Sequence, residues 1–167
     1  MSHIARVFAV FLLLLHGASH AQEAGEFDVY AKLLGSLRYA ETFRVSMSRT
    51  CPRLPATADS KVLKLCSQVG FTPDKKIIQA AEPHVRKQVS IEEARKALVF
   101  WSSAEGAEIS RKLVAQMRGE NNIHFSPEET RLLDNATTSS YGVALGRFAN
   151  STEASIAIIR ELAANAL

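Results

Sequence analysis

The sequence is short of the residues from which most catalytic centres are assembled. Its 167 residues hold two cysteines and five histidines, and His3, His16 and His20 all fall within the first 21 positions. Only His84 and His124 remain downstream, which excludes a histidine-rich metal centre. Two cysteines likewise exclude a four-cysteine zinc site or a disulfide-dense scaffold. Eight glycines and five prolines are too few for a turn-rich β-sandwich, and no Asn-Gly hairpin turn or sustained apolar–polar alternation occurs. There is no Walker loop, no G-x-S-x-G elbow, no H-E-x-x-H and no C-x-x-C-H. Glu120 and His124 stand four apart, but Gly119, Asn121 and Asn122 make that stretch a loop, and the pair is two ligands short of a zinc site. No cofactor or metal is expected.

What is present is ordinary globular composition, 47% hydrophobic and 22% charged. Residues 1–21 read as a secretory signal peptide: Arg6 supplies the positive start, Val7 to Leu15 the apolar run, and Ser19-His20-Ala21 the cleavage site near Ala21. Nine apolar residues rise only about 13–14 Å as a helix, well short of the roughly 30 Å of hydrocarbon in a bilayer. No later stretch is long and apolar enough to span one, so residues 22–167 are expected to form a single periplasmic or secreted domain. Without Arg6 that domain carries 19 basic and 17 acidic residues, net +2. Residues 38–96 hold 12 Lys/Arg against 6 Asp/Glu, whereas residues 97–167 hold 6 against 8. So small a net charge, without interleaved aromatics, argues against nucleic acid as a partner. The basic segment suits an acidic partner or a membrane surface, or is a solvated face. Cys51 and Cys66 are expected to form one disulfide, the natural state of an isolated pair in an oxidising compartment.

Apolar residues recur at helical spacing throughout. Phe27, Tyr30, Leu34, Leu37, Ala40, Phe43 and Met47 trace a first helix over 26–49, which Cys51-Pro52 ends. That face is predicted to pack against helices starting near Ser90 and Ser126. A short helix covers 60–69, and Thr72-Pro73-Asp74 opens another that Pro83 is expected to bend or interrupt. Ser90-Ile91-Glu92-Glu93 and Ser126-Pro127-Glu128-Glu129 have capping-box form. The first leads through a break at Ser103-Ala104-Glu105-Gly106 to a stop at Gly119; the second runs toward Asn150, weakened around 137–140. A last helix starts at Ser151 or Thr152. The expectation is an all-α bundle of about six helices. Seven identities at an offset of 36 join Ser90, Glu92, Glu93, Arg95, Ser103, Gly106 and Arg111 to Ser126, Glu128, Glu129, Arg131, Ser139, Gly142 and Arg147. A duplicated helical hairpin would leave this pattern, and so would recurrent capping chemistry.

The stretch from Val89 to Met117, with Phe100-Trp101-Ser102-Ser103-Ala104-Glu105-Gly106 at its centre, resembles the aromatic–aromatic–Ser–x–x–x–Gly pattern of the DUF 2059 family of exported bacterial proteins. The resemblance implies a signal peptide and a small all-α domain, and it implies no activity. The Cys51–Cys66 segment and Trp at the second aromatic position depart from the family pattern. Phe100 and Trp101 point about 100° apart on a helix, so one anchors the core while the other borders a groove. Together with Lys75, Lys76, Arg86 and Lys87 they are the candidate partner-binding residues. The leading functional expectation is a non-enzymatic exported domain that binds a protein or envelope component. A periplasmic immunity protein, plugging a toxin's acidic cleft with its basic segment, is the first alternative. The second is a cell-wall glycan hydrolase, which needs Glu105, Glu108 or Glu120 raised by burial in a cleft.

Overall fold

The computed structural model describes residues 28–165. The signal-peptide segment, the expected mature start at Gln22 and the core candidate Phe27 lie outside the described residues. Residues 28–36 form α1, followed by α2 (Tyr39–Thr50), α3 (Ser60–Gln68), α4 (Asp74–Gln88), α5 (Ile91–Trp101), α6 (Ala104–Arg118), α7 (Pro127–Thr138), α8 (Ser140–Ala149) and α9 (Thr152–Ala164). Short 3₁₀ turns at Cys51–Arg53 and Val69–Phe71 flank α3, and no strand occurs among the described residues. The protein is all-α, with nine helices among the described residues rather than six, because the first expected helix is broken once and the expected break at Ser103–Gly106 and weak stretch at 137–140 are both full helix boundaries.

The first break separates α1 from α2 at Arg38, whose φ of 52° is left-handed. On an unbroken helix, Ala40, Phe43 and Met47 would centre about 100° round from Tyr30, Leu33 and Leu34. The break turns both sets inward, and all six are buried. Left-handed backbone is unfavourable for a residue with a Cβ. It is held here by the Arg38 N–H donating to the Gly35 carbonyl at 2.9 Å and by the Arg38–Glu41 ion pair at 2.6 Å. Of the face expected to meet the helices starting near Ser90 and Ser126, the α2 part has α4 and α6 as its principal helix neighbours, while Tyr30 of α1 donates to the Val89 carbonyl just before α5.

The other two breaks share one chemistry. Ser103 and Ser139 cap α6 and α8, their Oγ atoms accepting from the Gly106 and Gly142 N–H, each at 3.1 Å. Both joints are so tight that a Cβ on either glycine meets backbone: on Gly106 it would collide with the Phe100 carbonyl and lie 2.9 Å from Trp101 Cα, and on Gly142 it would collide with the Ala136 carbonyl and lie 2.6 Å from that of Thr137. Both expected capping boxes form, with Ser90 N–H to Glu93 at 2.9 Å and Ser126 N–H to Glu129 at 2.7 Å. The segments offset by 36 therefore share a capping box and a Ser–Gly joint. They diverge beyond the joint: α6 ends at left-handed Gly119, whereas α8 turns into α9 through Asn150.

Helix α4 lies at the centre, packed against α2, α8 and α9. It runs unbroken through Pro83, which faces solvent where the lost N–H donor leaves no buried carbonyl stranded. Ile77, Ala80, Ala81 and Val85 form its buried side. Ion pairs lock the periphery: Arg44–Asp74 joins α2 to α4, Arg118–Glu41 joins α6 to α2, and Lys112–Glu129, largely buried at 2.7 Å, joins α6 to α7. Helix α3 leans on α9, and the Cys51–Cys66 disulfide ties it back to the end of α2, with Cα atoms 5.7 Å apart.

Two predictions follow from these joints. At nine residues, α3 is shorter than the roughly 12–15 that even a marginal isolated helix needs. Cys51→Ser should cost roughly 2–4 kcal/mol in urea unfolding and open Lys61 and Lys64 to trypsin before any site beyond Ser90. Unchanged cleavage at those lysines would contradict the role of the disulfide. Gly106→Ala and Gly142→Ala should each cost roughly 1–3 kcal/mol, the range of overpacking against an unyielding neighbour, whereas Gly146→Ala, with open space around its Cβ position, should be neutral or slightly stabilising.

Candidate functional site

The 3₁₀ turn after α3 and the end of α9 leave a groove between α3, α4 and α9. Its volume is about 740 Å³. Leu65 and Gln68 line it from α3, Lys76, Gln79 and Ala80 from α4, and Glu161, Leu162 and Asn165 from α9. Phe71, Thr72 and Pro73 form its lip. The floor is apolar where Leu65, Ala80 and Leu162 are buried, and the walls carry amides and one charge of each sign. Phe71 is 89% exposed, the most exposed large hydrophobic residue described. A 3₁₀ turn places it there because Gln68, Val69 and Gly70 must carry the chain from α3 into α4 with Val69 buried, which turns the next side chain outward.

The six sequence-chosen binding residues are not gathered into one site. Lys75 and Lys76 lie in the first turn of α4, where Lys76 lines the groove, while Arg86 and Lys87 lie in its last turn, about 15 Å away along the axis at 1.5 Å per residue. Trp101 is buried and Phe100 half-buried, their rings in edge contact at 4.9 Å. Trp101 therefore anchors the core, and Phe100 packs on its rim instead of lining the groove. Sequence reading missed Phe71, whose only signal was its position between Gly70 and Thr72-Pro73, in a stretch with no helical stripe to bury it.

The carboxylates proposed for hydrolysis are differently placed from what an acid catalyst needs. Glu105 and Glu120 are exposed, and the Arg111 guanidinium bonds Glu108 at 2.6 Å and holds its carboxyl below the ordinary range. Among the described residues no three His, Cys, Asp or Glu side chains cluster so as to hold a metal. The carboxylate that burial does raise is Glu82. It is fully buried in α4 and accepts no hydrogen bond among the described residues. Arg86 Nε stands 3.2 Å away without the alignment of a hydrogen bond. The guanidinium also lies over the Tyr30 ring, 5.3 Å from its centroid, and Tyr30 in turn donates to the Val89 carbonyl at 2.9 Å. Burial pushes Glu82 up to about 7, against the opposing pull of Arg86.

This gives stability a pH dependence of definite sign. The folded state holds a proton on Glu82 that the unfolded chain releases near its ordinary value of 4.5, so stability should rise as pH falls from about 7.5 to 5. Glu93, Glu108, Glu128 and Glu129, all lowered, stay ionised in both states over that window. The gain should reach up to about 3 kcal/mol in urea titrations, and Glu82→Gln should abolish the slope. A slope that survives in Glu82→Gln would assign it to another group. Comparison of this chain with models of known protein families, with curated proteins and with solved structures finds no match.

Proposed function

We propose that this is a non-enzymatic helical domain, exported through the signal peptide at 1–21 and cleaved near Ala21, that binds a protein or envelope component in the groove between α3, α4 and α9. The observation that carries the reading is Phe71: a large apolar side chain, 89% exposed, at the lip of a concave site. Interface cores favour aromatic side chains. The disulfide beside the groove suits an oxidising compartment, and no described helix is long and apolar enough to cross a membrane. Kinship with the DUF 2059 family, resting on residues 89–117, would be a kinship of fold and export and would add no activity. The immunity-protein reading is a narrower form of the same proposal and draws on the basic segment 38–96. No observation favours the glycan-hydrolase reading, since Glu108 is held in its ionised form.

Photo-crosslinking tests the proposal. Phe71→benzoylphenylalanine, made in an export-competent bacterium, should yield a discrete adduct in the envelope fraction. The same probe at exposed Lys96 on α5 should not. Equal labelling from both positions, or none from Phe71, would remove the groove as a binding site.

A further inference from the structure

We infer that the groove takes an extended acidic segment of a partner protein, with an apolar side chain of that segment seated against Phe71. The inference rests on the binding-domain reading and adds the chemistry of the occupant. Its first observation is charge. Lys76 lines the groove and Lys75 stands beside it, while Lys61 and Lys64 share the α3 stripe that brings Leu65 and Gln68 to the groove wall, at helical steps of three and four. All four lysines are exposed and none makes an ion pair among the described residues. Lys61, Lys64, Lys75 and Lys76 thus place four unpaired cations on α3 and the start of α4, two of the elements that wall the concavity. Against them the groove sets a single carboxylate, Glu161.

The second observation is the polar character of the walls. Gln68, Gln79 and Asn165 each offer an amide with both donors and an acceptor, the pairing that an extended backbone needs for its own N–H and C=O groups. A flat bilayer surface does not fit into a concave site, whereas an extended strand of protein brings both N–H donors and C=O acceptors to the wall amides and can place its acidic side chains on the lysine side, away from Glu161. A protein segment satisfies all three features: acidic side chains meet the lysines, backbone meets the amides, and an apolar residue meets Phe71.

The test uses the full chain purified from an export-competent host and a fluorescent eight-residue peptide alternating acidic residues with leucine. Fluorescence anisotropy should show binding that weakens as salt rises. Lys64→Glu/Lys76→Glu and Phe71→Ala should each weaken it at least about tenfold, with circular dichroism confirming that both variants stay folded. The lysine counterpart of the peptide should not bind. Binding indifferent to the lysine reversals, no binding of the acidic peptide, or tighter binding to phosphatidylglycerol vesicles would each overturn the inference. If the Phe71 crosslink forms while the acidic peptide fails, the occupant's chemistry is wrong and the binding-domain reading stands. If both fail, both are wrong.

Discussion

The structure depends on the burial of α4 from several sides at once. A helix enclosed by α2, α8 and α9 can bring its neighbours close only if its side chains are small where they meet, and Ala80 and Ala81 meet that need. Close-packed interiors leave little room for compensation at such a place. The same enclosure creates a costly feature of the core, since Glu82 occupies the position next to Ala81 on the same buried turn. An ionised carboxylate without hydrogen bonds is expensive to bury, and the protein meets the cost by shifting Glu82 toward its neutral form and by keeping Arg86 within reach.

The groove follows from how the outer helices reach this centre. Helix α9 packs along α4, and α3 reaches the bundle through α9 and is tied to α2 by the disulfide. One wall of the groove is thus the helix packed against α2, α8 and α9, and the other is a nine-residue helix at its edge. Local opening concentrates where few buried contacts hold an element, so α3 should open before α4.

Much of the fold was legible in the sequence, for reasons specific to particular residues. The capping boxes at Ser90 and Ser126 are chemical requirements of helix N-termini and therefore mark themselves in any sequence. The disulfide was legible because no other cysteine could compete for either partner. The helix count was less so: the stripe from Tyr30 to Met47 satisfies steps of three and four throughout, and only its slow drift round the axis signals that Arg38 must break it. The break at Ser103–Gly106 was legible, and the second joint only as a weakened stretch at 137–140, because whether such a Ser–Gly pair bends or breaks a helix depends on how closely the next helix approaches. The groove was least legible. It is made by residues from three helices and a turn, and its most telling member, Phe71, is defined by being left out of every stripe.

Native-state hydrogen exchange resolved by residue bears most directly on the central place of α4. The amides of Ile77–Val85, Pro83 excepted, should exchange last, with opening free energies equal to that of global unfolding, while those of α3 should open at distinctly lower free energy. Exchange from α4 as fast as or faster than from α3 would contradict the account, since neither a single enclosed helix nor a groove with one fixed wall could then be the basis of the fold.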